Sequence, residues 1–205
     1  MIDLKPACHR MIDLLAGVDD GRLDGPTPCS AYTVGELVQH VDSVSQALAA
    51  LAHGAHARTD GKGADTGTGD GGADRPTGAD TETEPTVLDF GGGWRDTVTR
   101  HVLDLGGAWG DPAAWRGSGS AGGLELPNEL WGKIALTEVV VHGWDLAQAT
   151  GRPFDLPEET LRACLAHVAD FVPRAPVPGL WGPAVEVPAD APVLDRMVAI
   201  TGRKP

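Results

Sequence analysis

Glu138 and His142 stand four residues apart in an unbroken apolar stretch, with Val139-Val140-Val141 between them and Asp145 three residues further on. In a helix, side chains four apart share a face, one turn above each other. The carboxylate and the imidazole therefore point the same way, and Asp145 lies on nearly the same face. Leu136, Val139, Val140, Val141 and Leu146 surround them. A charge on such a face is costly to bury unless it is paired or bound to a metal. A borderline divalent ion accepts this mixture of nitrogen and oxygen ligands, and a catalytic site keeps three protein ligands and one open position. Helical bundles hold such ions between facing helices. The third ligand must then come from another helix. His40, among Leu37, Val38, Val41 and Val44, is the best candidate, and His101 is its rival. His9, His53, His56 and His167 lie near helix ends or among polar neighbours. Spacing leaves two plainer readings open: a surface Glu–His pair, and an inward histidine hydrogen-bonded in the core.

The elements that must position these residues read as helices broken by Gly and Pro. Apolar residues recur at helical spacing over 4–16, 34–52, 88–105, 129–150 and 156–171, with a last short helix over 193–201. Thr33 and Glu36 form a capping box that opens the second helix. Gly151, with Pro153 beyond it, ends the longest apolar one. Residues 106–123 read as a loop, followed by a short extended piece at Leu124-Glu125-Leu126. Near the C-terminus, Ala184-Val185-Glu186-Val187 reads as a minor extended segment. Residues 59–86 hold seven Gly, seven Thr and seven acidic residues, with no Leu, Ile, Val or aromatic. Such a stretch cannot offset the entropy of ordering it, so a flexible acidic loop is expected there. The pattern predicts an all-α, antiparallel four-helix bundle with extra short helices, formed by residues 1–205 as a single domain.

Composition narrows the function. The chain has 205 residues, 16 Lys+Arg against 29 Asp+Glu, and a formal charge of −13. That balance argues against nucleic acid and against electrostatic docking on an anionic membrane. No apolar run approaches the length of a membrane span. The first residues lack the basic and apolar regions of a signal peptide. The cysteines Cys8, Cys29 and Cys164 are odd in number and form no CxxC motif. A cytoplasmic protein, monomer or homodimer, is expected. Gly67–Gly72 and Gly117–Gly122 match GxGxxG literally, but neither follows a strand and opens a helix.

Three segments carry a family resemblance. Thr27-Pro28-Cys29, with Thr33-Val34, Leu37 and His40 after it, is similar to one signature of the mycothiol-dependent maleylpyruvate isomerase N-terminal domain family, within the DinB-like superfamily. The run Thr137 to Ala147, containing Glu138, His142, Trp144 and Asp145, resembles its second signature. Leu194-Asp195-Arg196 and Thr201-Gly202-Arg203 resemble its usual C-terminus. Tyr32 stands where many relatives carry Trp, and the acidic loop is longer than expected. The resemblance implies a DinB-like bundle holding a divalent metal, usually zinc, through His40, Glu138 and His142. Imidazole and carboxylate ligands suit Ni²⁺, Fe²⁺ or Mn²⁺ as well.

On that basis the expected function is metal-dependent activation of a low-molecular-weight thiol such as mycothiol. The thiol would serve isomerisation or S-transfer on a small electrophilic metabolite. Asp145 is expected to orient His142, and Tyr32 to wall the pocket with Trp131, while Trp144 packs the core. Alternatives on the same bundle are a metal-dependent hydrolase or cyclase of specialised metabolism, and a non-catalytic bundle that binds metal or ligand.

Overall fold

The computed structural model describes residues 1–60, 88–175 and 181–205, with the backbone alone for 55–60. The acidic-loop reading falls outside the described residues, apart from residues 59 and 60. The main helices are α1 (Lys5–Leu15), α2 (Val34–Asp60), α3 (Trp94–Ala108), α4 (Asn128–Thr150), α5 (Glu158–Phe171) and α6 (Val193–Ile200). Helices α1, α3, α2 and α4 pack in that cyclic order as a four-helix bundle, and α5 joins α4 to α6 on its flank. No described helix is long and apolar enough to cross a membrane.

Local chemistry sets the ends of the helices that matter. The Thr33 N–H donates to Glu36 Oε2 at 2.8 Å, and the Glu36 N–H donates to Thr33 Oγ1 at 3.3 Å. These reciprocal bonds satisfy N–H groups that the first turn of α2 leaves free. His40 then falls in the second turn. Helix α2 continues to Asp60, past the expected end near residue 52. Helix α4 stops at Gly151, whose φ of 68° is the left-handed conformation favoured at a helix C-terminus.

Helix α4 is apolar on almost every side and sits between α1, α2 and α5. A helix hydrophobic all round belongs in a core. It packs closely because Gly132 leaves room for two indoles. A Cβ there would lie 2.7 Å from the Trp115 ring and 2.9 Å from Trp109. Those rings are pinned: Trp109 Nε1 donates to the Leu48 carbonyl at 3.0 Å, and Trp115 Nε1 to the Trp109 carbonyl at 2.8 Å. Gly132→Ala should therefore lose stability. An overpacking cost of about 1–3 kcal/mol opposes a helix-propensity gain of about 1 kcal/mol. Urea unfolding of the two proteins checks the sign.

Two short segments differ from the sequence reading. The expected loop over 106–123 contains β1 (Ser118–Ala121), which pairs antiparallel with β2 (Leu124–Pro127). Gly122 and Gly123, at φ 55° and 74°, make the two-residue turn that such a hairpin requires. By contrast, Ala184–Val187 joins no sheet. Among the described residues its backbone anchor is one bond, from the Val185 N–H to the Ala199 carbonyl at 2.9 Å. Pro183 and Pro188 flank it, and neither can donate to a ladder.

Candidate metal centre

The capped start of α2 and the buried middle of α4 bring His40, Glu138 and His142 together. One ligand atom from each lies within 4.8 Å of the others. Glu138 Oε2 is 3.1 Å from His40 Nε2 and 3.3 Å from His142 Nε2. Metal–ligand bonds of about 2.0–2.1 Å at tetrahedral angles place neighbouring donor atoms about 3.3 Å apart. The two spacings match that figure. The donor set, two imidazoles and a carboxylate, suits zinc and its neighbours.

The far nitrogen of each imidazole is also occupied. His142 Nδ1 lies 3.0 Å from Asp145 Oδ2. Asp145 is fully buried and is gripped from its other side by Arg203, whose Nε and Nη2 donate at 3.1 and 2.8 Å. A carboxylate accepting from Nδ1–H fixes the tautomer in which Nε2 carries the free lone pair. Metal-binding histidines are commonly held this way. His40 Nδ1 lies 3.2 Å from the Tyr32 hydroxyl, and the two rings stack with centroids 4.8 Å apart. Tyr32 thus braces His40 from behind, and the apolar cavity beside the cluster is lined by other side chains.

Electrostatics couple the group tightly. Burial alone would raise the Glu138 pKa, but hydrogen bonds from His142 and His40 hold it well below the usual carboxylate range. Burial alone would lower that of His142, yet Asp145 and Glu138 together lift it to about 9. Without metal, His142 is thus charged in the folded chain near neutrality. Its folded value lies above the ordinary histidine value of 6.5. The stability it adds is complete below that pH and disappears as pH rises through about 9. Protein held in chelator should melt at progressively lower temperature across that window. A melting temperature flat between pH 6.5 and 9 would contradict the coupling.

Beside the cluster a cavity of about 330 Å³ opens between α2, α4 and α5, with His40 and Glu138 in its wall. Its lining is otherwise mostly apolar and includes Val44, Leu124, Leu126, Trp131, Ile134 and Phe171. Trp131 lies there as expected, its Nε1 donating to the Gly119 carbonyl at 2.8 Å. Trp144 is buried in the core. His101 turns away from the cluster and meets Asp42 of its neighbour α2 at 2.7 Å. Cys29 is half-buried. Burial pushes the Cys8 and Cys164 thiols up to about 12, with Asp3 adding to the effect at Cys8. Sequence reasoning missed Arg203 as the partner of Asp145 and His167 as part of the cavity wall.

Residues 4–147 match the family model described as the mycothiol maleylpyruvate isomerase N-terminal domain. The chain belongs to this family. Two Mycobacterium tuberculosis relatives, the uncharacterized proteins MT0763 and Rv0738, are each 29% identical over 195 residues, spanning 93% of this chain and 90% of theirs. Among solved structures, a mycothiol-dependent maleylpyruvate isomerase aligns with a TM-score of 0.54 at 21% identity. A histidine-to-alanine mutant of such an isomerase aligns equally well at 22% identity. In both, the match covers 80% of this chain and 66% of the solved one, so the chain spans just under two thirds of their length. This likeness gives the maleylpyruvate isomerase family member its DinB-like bundle fold.

Proposed function

We propose that the protein is a metal-dependent enzyme that activates a low-molecular-weight thiol, such as mycothiol, for isomerisation of or S-transfer to a small electrophilic metabolite. His40, Glu138 and His142 hold the metal, with zinc the best fit to the donor set. One observation carries the reading: three donor atoms from two helices converge beside a largely apolar cavity that has His40 and Glu138 in its wall. The names of the solved relatives supply the thiol and the isomerase chemistry.

A divalent ion bound there would lower the pKa of a thiol presented to it, giving a nucleophile at neutral pH. The chain's own residues do the rest. Asp145 and Tyr32 keep the two imidazoles aimed at the ion. The apolar walls shield the reacting partners from water and receive the carbon skeleton of the electrophile. The buried Cys8 and Cys164 thiols stay protonated, in keeping with a nucleophile that comes from outside the chain.

Cobalt(II)-loaded protein titrated with mycothiol tests this. The expected result is a saturable near-ultraviolet band from thiolate-to-cobalt charge transfer, absent in His142→Ala. An unchanged spectrum at saturating mycothiol, with cobalt still bound, would overturn the thiol step.

A further inference from the structure

The cavity beside the metal cluster is long, and its metal-binding groups stand at one end. Helices α2 and α4 line it side by side and run in opposite directions. His40 meets Glu138 at one level. At another, Gly119 of the hairpin is wedged between Leu51 and Asn128, where a Cβ would lie 2.6 Å from the first and 3.1 Å from the second. From the ligands the wall steps along α2 through Val44 to Leu48, and back along α4 through Ile134 to Trp131. At a rise of about 1.5 Å per residue, those intervals make the cavity about 10–12 Å long. A volume of about 330 Å³ drawn out over that length is a channel rather than a round pocket.

The hairpin covers the channel. Leu124 and Leu126 share one face of β2, and Ala121 of β1 stands opposite Leu124 on that face. Trp131 Nε1 ties the hairpin to α4 through the Gly119 carbonyl at 2.8 Å. Along this length the described lining contains no Lys, Arg or Asp. Thr137 Oγ1 already donates to the Lys133 carbonyl at 3.0 Å. His167 Nε2 and Trp181 Nε1 are buried and present no donor surface to a ligand. A polar chain laid there would give up hydrogen bonds to water and find few in return. An apolar chain gains with each methylene it buries. Ala47 and Gly122 are exposed, so the channel opens to solvent at the end away from the ligands.

We infer that the cavity takes an amphipathic electrophile: a carboxylate or carbonyl head that ligates the ion held by His40, Glu138 and His142, joined to an unbranched apolar chain that runs between α2 and α4 under the hairpin. The inference rests on the reading above for the ion and for the word electrophile. Leu126 and Ile134 are then specificity-determining contacts of the chain, while the ion sets only the head.

Straight-chain hydroxamates test it, because their head ligates zinc whatever the chain. Binding of the aceto-, butyro-, hexano-, octano- and dodecano- compounds to the zinc-loaded protein is measured by calorimetry, below any micelle concentration and with no thiol present. Affinity should rise about two- to threefold per added methylene, about a hundredfold in all between acetohydroxamate and octanohydroxamate. It should level off by dodecanohydroxamate, whose chain passes the mouth at Ala47 and Gly122. Leu126→Asp should weaken octanohydroxamate tenfold or more and leave acetohydroxamate within twofold of wild type. Ile134→Trp, which fills the channel by bulk, should do the same and stands in should Leu126→Asp not fold.

Acetohydroxamate that binds, with no gain from a longer chain, would overturn the inference and leave the metal reading standing. An affinity that climbs undiminished through dodecanohydroxamate, or one that neither variant changes, would overturn it too, since the chain would then lie elsewhere. Failure of every hydroxamate to bind would overturn the inference and the metal reading together. None of these results depends on mycothiol, so the thiol chemistry fails separately.

Discussion

Arg203→Met should destabilise the protein by about 3–5 kcal/mol, the usual cost of removing one partner from a buried ion pair. At this chain length that is a fall of roughly 10 °C in melting temperature. Asp145 is fully buried, and Arg203 is 6% exposed. Burial by itself would raise the Asp145 pKa; bonds from His142 and Arg203 reverse that and keep it ionised. Without the guanidinium, the carboxylate keeps only His142 as a side-chain partner among the described residues. Arg203 also ties the C-terminal segment down, since its Nη1 donates to the Thr201 carbonyl at 2.9 Å. The double variant Asp145→Asn, Arg203→Met should be less destabilised than the sum of the single changes, because no charge is left stranded. Strict additivity would mean that the pair is energetically uncoupled.

Asp145→Asn alone should weaken metal affinity about 10- to 100-fold while leaving all three ligands in place. The effect follows from donor counting. Asp145 accepts from His142 Nδ1 on one oxygen and from the Arg203 guanidinium on both. An amide offers one acceptor oxygen and one NH2 group. If its oxygen faces His142, its NH2 confronts the Arg203 donors. If it turns over, the NH2 confronts His142 Nδ1–H and favours the tautomer with Nε2 protonated, which cannot bind metal. Competition against a chromophoric chelator measures the change. Affinity equal to wild type would remove Asp145 from any orienting role.

Much of this arrangement is written in short-range sequence. The Thr33–Glu36 capping box is a three-residue interval, and it fixes where α2 starts and so the height of His40 in the bundle. The four-residue interval between Glu138 and His142 puts both side chains on one face of a helix that is apolar on almost every side, which favours their meeting protein rather than solvent. What was illegible depends on rotation or on distant partners. His40 and His101 occupy similar apolar contexts, and only the rotation of α3 against α2 gives His101 to Asp42. Asp145 and Arg203 are 58 residues apart, an interval that no periodicity reports. His167 lies near the end of α5, a place that gives no sign of a site, yet its ring stacks on Phe171 in the cavity wall. β1 was hidden by its composition, Ser-Gly-Ser-Ala, which lacks β-branched and aromatic residues. The Gly122–Gly123 pair was the available signal for a hairpin turn.

Elemental analysis of the purified protein beside His40→Ala and His142→Ala tests the central claim most directly. The account predicts zinc or another transition metal stoichiometric with wild-type protein and lost from both variants, with circular dichroism showing all three folded. Metal-free wild-type protein that also takes up none on incubation with zinc, and whose variants melt as it does, would contradict the account. His40 and His142 would then be hydrogen-bonding residues of a helical core.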